Sequence, residues 1–402
     1  MPEKPALYLV GGHTQQALWR PLSENYRLAF LNSGAGNLAR QTGIEGVLIL
    51  EEYMTPAMLD QAKAEAMERA YSVFDGIVSG SLVMDPDIAM LNGKDSRWLP
   101  VMTYESTTAT IARVMACAVC AEKEGAAGVF VHEDVTPDGR ILCQWGNAEG
   151  VPTLHVPHAN HYIANDTGDI HCSTVAQHIG AAGTYMEDWY KTAGAAGEFT
   201  ILGAPQWDRL YVAENMPSRE FARRALGLPQ DKLILAYGGT WAQITALWGS
   251  PVDELERGWQ LMLRACKALD AVLIVKMHPG EAGGREQYYE KAMKEAELHG
   301  VITRAHNEFV VRASDCLVTQ GSSNLAVEAA ILGTPTVEIY QCSTKYPDYG
   351  PKGTWGDGLE QLIGEAIAAG PLPEFARAMN FDNDGHAVER VVEWVKKLCP
   401  PQ

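Results

Sequence analysis

Val318-Thr319-Gln320-Gly321-Ser322-Ser323-Asn324-Leu325-Ala326-Val327-Glu328-Ala329-Ala330-Ile331-Leu332-Gly333-Thr334-Pro335-Thr336-Val337 is the most informative stretch of the chain. It predicts a strand over Asp315–Thr319, a small-residue loop at Gln320-Gly321-Ser322-Ser323, a helix over Asn324–Leu332 and a second strand over Thr336–Ile339. That is one strand–helix–strand unit of a parallel sheet. In open parallel sheets ligands collect at the carboxyl ends of the strands. A glycine followed by serines at such an end, opening a helix, offers free backbone N–H groups and the positive helix end to a phosphate. Plain helix capping by Ser322 or Ser323 is the alternative reading.

The same pattern recurs on the N-terminal side of this stretch. Lys232–Tyr237 reads as a strand ending in Gly238-Gly239-Thr240, where Gly239 permits close backbone approach and Thr240 can donate. A helix follows at Glu254–Leu269, then a strand over Ala271–Lys276 that ends in Met277-His278-Pro279-Gly280. His278, held by a rigid turn, can donate to a phosphate or simply complete that turn. Tyr288–His299 reads as helical. Glu328, more than one turn past the serines, is either a solvated helix carboxylate or an acceptor for two ribose hydroxyls.

The first half carries its own alternation. Strands are expected at Ala6–Val10, Arg27–Leu31, Gly46–Leu50, Gly76–Val78 and Gly128–Val131, with helices over Ala57–Tyr71 and Thr107–Lys123. With 402 residues the chain is too long for one ordinary core. Two α/β domains are expected, 1–205 and 206–384, with the boundary near Pro205–Ser218 and a last helix from about residue 385 to 402 that could return to the first domain.

Composition narrows the class. Apolar residues make up 47% and charged residues 20%, as in a globular enzyme. The opening run is too short and too soon polar for a signal peptide, and no apolar stretch reaches membrane-helix length. A cytoplasmic protein is therefore expected. A formal charge of -18 disfavours general nucleic-acid binding. Of eight cysteines, Cys117 and Cys120 form a lone C-x-x-C that reads as buried helical cysteine.

The stretch over 318–337 resembles the nucleotide-binding signature of GT-B enzymes. It is most similar to the group holding UDP-N-acetylglucosamine 2-epimerases, CDP-glycerol glycerophosphotransferases and surface-polysaccharide glycosyltransferases. Lys276-Met277-His278-Pro279 resembles their K-x-H-P strand end, Ile201 to Asp208 their T-G-x-P-x-x-D element, and Gly150 to His158 their G-I-P…H-G strand. Ala159 stands where that glycine would be, and Val327 where an acidic residue is common. The epimerase carboxylates are not identifiable in the sequence.

The resemblance implies a GT-B fold, two Rossmann-like domains with parallel sheets facing across a cleft. It implies a nucleotide-sugar donor held by the second domain as substrate, with no cofactor and no metal as a rule. Gly239, Thr240, His278, Gly321, Ser322, Ser323 and Glu328 are the candidate donor residues, with Ala305–Glu308 near the base. The acceptor, a saccharide or other hydroxyl compound, would enter from the first domain. For the base an inverting transfer needs, His13 and Asp134 are the candidates, with Glu133 a competitor. His158 and His161 are placed on the acceptor or diphosphate side. His155, His158 and His161 share a spacing of three that could gather a zinc ion on a helix, but Pro157 opposes a helix there.

The expected function is metal-independent glycosyl transfer. Alternatives on the same fold are a nucleotide-sugar 2-epimerase and a glycerophosphate or phosphosugar transferase. A non-catalytic nucleotide-sugar-binding protein is another, and a glycosyltransferase acting on modified bases in DNA the most remote.

Overall fold

A computed structural model of the chain describes residues 4–12, 15–79, 99–134, 136–157, 174–192, 194–238, 252–278, 281, 284–321, 323–340 and 348–401. Among them the apolar runs expected as strands are strands, with one exception. The first sheet contains β1 (Ala6–Leu9), β2 (Arg27–Phe30), β3 (Leu48–Ile49), β4 (Gly128–Val131), β5 (Thr153–His155), β6 (His178–Ala181) and β7 (Glu198–Ile201), in the order 3-2-1-4-5-6-7. The second contains β8 (Ile234–Gly238), β9 (Val272–Lys276), β10 (Gly300–Thr303), β11 (Cys316–Gln320), β12 (Thr336–Ile339) and β13 (Lys352–Thr354), in the order 10-9-8-11-12-13. Every pairing is parallel.

The central strands are apolar along their whole length because helices cover both faces. Leu7, Leu9, Leu28 and Phe30 pack on one side of the first sheet, and Tyr8, Ala29, Val129 and Val131 on the other. In the second sheet Leu235, Tyr237, Leu273 and Val318 oppose Ile234, Ala236, Ile274 and Leu317. Each sheet has one reversal of strand order, between β1 and β4 and between β8 and β11. Loops leave a crevice at such points.

The exception is Gly76–Val78, expected as a strand. It is the end of a helix, Pro56–Val78. Ala62, Ala66 and Ala70 are buried at four-residue spacing, so small side chains let the helix pack along Leu99–Glu124. Side-by-side packing extends the helix through the short apolar run. A second correction is the helix expected over Tyr288–His299: it stops at Glu295, and β10 follows at once. Cys117 and Cys120 are fully buried in Leu99–Glu124, as expected. Burial, with Cys120 beside it, pushes the Cys117 thiol up to about 12. No helix among the described residues is long and apolar enough to cross a membrane.

The connection between the sheets is anchored by two adjacent residues of the turn Pro205–Tyr211. Trp207, 1% exposed, joins Ile179, Met186, Tyr190, Ala326, Val327, Ala330, Phe375 and Met379 in one apolar cluster that spans both halves. The Asp208 carboxylate accepts from the N–H groups of Ala387 (3.1 Å) and Val388 (2.6 Å), capping the last helix, Ala387–Leu398. That helix returns to the first sheet, where Val391, Val392, Trp394 and Val395 pack with Leu7, Trp19 and Phe30.

Candidate active site

The helix Asn324–Leu332 is apolar on nearly all sides because it is buried twice. Leu325 and Ala329 face the second sheet, while Ala326, Val327 and Ala330 face the cluster between the halves. Val327, where the resembling group carries an acidic residue, is thus a packing residue. Glu328 is carried inward with its neighbours and is only 7% exposed.

A buried carboxylate needs partners. Arg209, from the turn Pro205–Tyr211, places Nη2 3.6 Å from Glu328 Oε2 and Nη1 2.7 Å from Glu308 Oε2. Burial raises the Glu328 carboxyl above the usual carboxylate range; Arg209 and side-chain hydrogen bonds from Asn307 and Trp207 offset part of that rise. Oε2 is left without a hydrogen bond. An acceptor oxygen in that state is suited to a hydroxyl donor brought by a ligand.

Ahead of it, the loop turns at Gly321, whose φ of 70° is one that residues with a side chain rarely adopt. Its N–H donates to the Ile339 carbonyl at 3.1 Å, fixing the loop to β12. Ser323 caps the helix, its hydroxyl accepting from the Leu325 N–H at 3.2 Å. The capping alternative accounts for Ser323, and its hydroxyl hydrogen remains free to donate.

His278 follows β9 and is half-buried. Its N–H donates to Glu281 Oε2 at 2.7 Å, and its carbonyl accepts from the Glu281 N–H at 3.0 Å. Glu281 is itself 7% exposed; its Oε1 accepts from the Tyr289 hydroxyl at 2.8 Å, and Arg304 donates to its carbonyl at 2.7 Å. Glu281 is therefore the post on which the His278 turn is hung. Glu281→Gln would leave one N–H or O–H of this set without an acceptor, an expected loss of about 1–3 kcal/mol. Urea denaturation measures it.

Burial lowers the His278 imidazole below its ordinary 6.5; Glu281 raises it and Lys276 lowers it, both by less. The folded state therefore binds fewer protons here than the unfolded chain. His278 is expected to contribute stability fully above pH 6.5 and to lose it as pH falls through its depressed value. A proton NMR titration with a midpoint above 6.5 would contradict this. Lys276, whose ammonium is lowered by burial and raised by Glu328, completes the charged set.

In the first domain Asp134 lies just beyond the end of β4 and is fully buried. Its Oδ2 accepts from the N–H groups of Val175 (2.7 Å) and Ala176 (3.0 Å), while Oδ1 stands 3.5 Å from His155 Nδ1. Asp134, a candidate base from sequence, is thus a buried carboxylate anchored by two backbone N–H groups. His155 sits in β5, on extended backbone, so the helical gathering of histidines does not occur at that residue. Beside them the His132 ring lies against Gly12, whose absent Cβ would fall 2.7 Å from it. His13, His158, His161, Gly239, Thr240 and Ser322 lie outside the described residues.

The structure thus brings Gly321, Ser323, Glu328 and His278 to the carboxyl end of the second sheet. It adds Arg209, Lys276, Glu281 and Arg304, to which no role was assigned from sequence. Lys276 stood within the K-x-H-P match. Arg209 carried no signal, because its partners are about a hundred residues away.

Comparison with known proteins agrees with the resemblance. Residues 170–363 match the family described as CDP-glycerol:poly(glycerophosphate) glycerophosphotransferase. No curated protein matches the chain. Among solved structures, a glycotransferase of kitacinnamycin is similar with a TM-score of 0.56 at 13% identity, over 99% of this chain and 100% of that one. MnaA of S. aureus, solved with UDP, has a TM-score of 0.55 at 14% identity, over 98% and 96%. UDP-GlcNAc 2-epimerase from Neisseria meningitidis, bound to UDP-GlcNAc, has a TM-score of 0.51 at 12% identity, over 98% and 99%. At these identities the likeness establishes the fold, which is GT-B.

Proposed function

We propose that the chain is a transferase acting on a nucleoside-diphosphate-activated donor, and that the group it moves is a sugar. The observation that carries this is Glu328. It is a buried carboxylate one turn inside a helix that opens on Gly321 and Ser323, and one of its oxygens is held without a hydrogen bond. Accepting from the two ribose hydroxyls would satisfy that oxygen. The diphosphate would then lie on the helix N-terminus and the Gly321 loop, with His278 donating to it and Lys276 balancing its charge.

Gly239, Thr240 and Ser322 are proposed on the same phosphate side. The acceptor would approach from the first domain, with His13 as proposed base and His158 and His161 toward the acceptor or leaving diphosphate. No metal is needed for donor binding in this reading, since helix dipole and cations face the charge. Soluble nucleotide-sugar substrates suit a cytoplasmic setting.

A second reading is favoured by the match over residues 170–363: transfer of glycerophosphate from CDP-glycerol. The two break different bonds. Sugar transfer releases nucleoside diphosphate, whereas glycerophosphate transfer releases nucleoside monophosphate. Incubation with UDP-sugars and CDP-glycerol, with a panel of hydroxyl acceptors and chromatography of the nucleotide product, is expected to give UDP. CMP would install the second reading. Binding without either product would leave a nucleotide-binding protein, and absence of binding by all the common nucleoside diphosphates would sink both transferase readings.

A further inference from the structure

The first domain holds a second cluster that the donor reading does not use. We propose that Glu133, Asp134 and His155 bind one divalent transition-metal ion of the zinc or manganese kind, at the carboxyl ends of β4 and β5.

One carboxylate oxygen from each acid and one imidazole nitrogen all lie within 4.8 Å of one another. Ligands at about 2.0–2.2 Å from a common ion stand roughly 3–4.4 Å apart. The Asp134 Oδ1 to His155 Nδ1 separation of 3.5 Å already matches the edge of a tetrahedron with bonds of about 2.1 Å. Strand register fixes the pair, because Val131 of β4 stands beside His155 of β5, and Glu133 and Asp134 follow within three residues.

Satisfaction is the independent observation. His155 and Asp134 are both 0% exposed, and neither ring nitrogen of His155 nor Oδ1 of Asp134 has a hydrogen bond. Buried polar atoms are rarely left so, because each forfeits the hydrogen bonds it made with water. At 3.5 Å the nitrogen and oxygen are too far apart for a good hydrogen bond and are spaced to share an ion. The remaining oxygen of Asp134 is held by Val175 and Ala176, which is the outer support that orients a metal-binding carboxylate. Two carboxylates and a neutral imidazole also balance a dication. Donors of this mixture suit zinc and manganese better than magnesium or calcium, which favour oxygen alone.

The ion would tie the ends of β4 and β5 to the segment 174–176, so its effect is on the first domain and is independent of donor binding. The experiment is metal analysis of the full chain as purified, followed by chelation and titration with Zn²⁺, Mn²⁺ and Co²⁺ by calorimetry and visible absorption. One ion per chain, Co²⁺ absorption of nitrogen–oxygen coordination and a raised melting temperature are expected. Glu133→Gln and His155→Gln, checked for native circular dichroism, should each weaken binding at least tenfold. The unbound alternative is a charged His155 imidazolium facing Asp134, which predicts no metal uptake. Absence of binding by the wild-type chain, or binding that survives both substitutions, overturns the site. Should a variant misfold, the Co²⁺ spectrum of the wild type decides alone.

Discussion

Glu328→Gln is expected to weaken nucleoside-diphosphate binding while leaving the unliganded chain as stable as before, or more so. The two effects have one cause. Burial raises the Glu328 carboxyl above its ordinary value of 4.5, so the folded state binds more protons than the unfolded chain between those two values. A raised carboxyl means that the ionised form costs stability, and the cost grows as pH rises through that window. The amide removes the cost, and Arg209 keeps Glu308 as its partner at 2.7 Å. A ligand that needs a charged acceptor loses instead. Hydrogen bonds to a charged group contribute about 1.5–3 kcal/mol, so the dissociation constant should rise roughly 10- to 150-fold. Calorimetry with UDP and CDP, beside thermal melts without ligand, reads both effects. In the wild type, affinity should fall on acidification as the carboxyl takes up its proton. A variant that binds as tightly as the wild type at neutral and alkaline pH removes Glu328 from the nucleotide site.

That residue also shows how far the sequence reaches. The helix Asn324–Leu332 and the strand Thr336–Ile339 are found where they were expected, because Gly321, Ser323 and the apolar run are local signals. Glu328 was singled out by its distance from the serines. Its burial was not legible, since the groups around it, Trp207, Arg209, Asn307 and Glu308, arrive from other elements. The surroundings of Asp134 were hidden in the same way: the Val175 and Ala176 N–H groups that hold it lie some forty residues on. The strand Gly300–Thr303 was masked by the helix-forming residues before it, and Gly76–Val78 by an apolar run as suited to a strand as to a helix. Local chemistry names the loops; pairing between distant elements decides which side chains in them face a ligand.

Gly183→Ala tests that distant pairing most severely. Gly183 follows β6, and a Cβ there would fall 2.1 Å from the Ala378 carbonyl oxygen and 2.8 Å from two further backbone carbons. Backbone cannot turn aside as a side chain can. The helix Pro373–Met379 would have to retreat, and with it Phe375 and Met379, which hold the halves together with Ala326 and Val327. Two bonds beside it resist that retreat: the Phe381 N–H to the Ala182 carbonyl at 2.8 Å, and the Ala204 N–H to Asn380 Oδ1 at 2.8 Å. Overpacking of this kind costs typically about 1–3 kcal/mol and sometimes more. A fall in melting temperature of roughly 5–10 °C is expected from about 3 kcal/mol. Gly364→Ala is the matched control, a helical glycine with nothing within 4 Å of its Cβ position, and should stabilise by about 0.5–1 kcal/mol. Activity separates the two roles of the joint. Gly321, His278 and Lys276, proposed to hold the donor, belong to the second sheet, so nucleotide affinity should change little in Gly183→Ala. In the proposed reaction turnover needs the first domain placed against the donor, and a shift of about 1 Å can cost a hundredfold. Loss of nucleotide affinity equal to the loss of turnover would show that the joint shapes the donor pocket itself. An unchanged melting temperature would show that Gly183 and Ala378 do not meet.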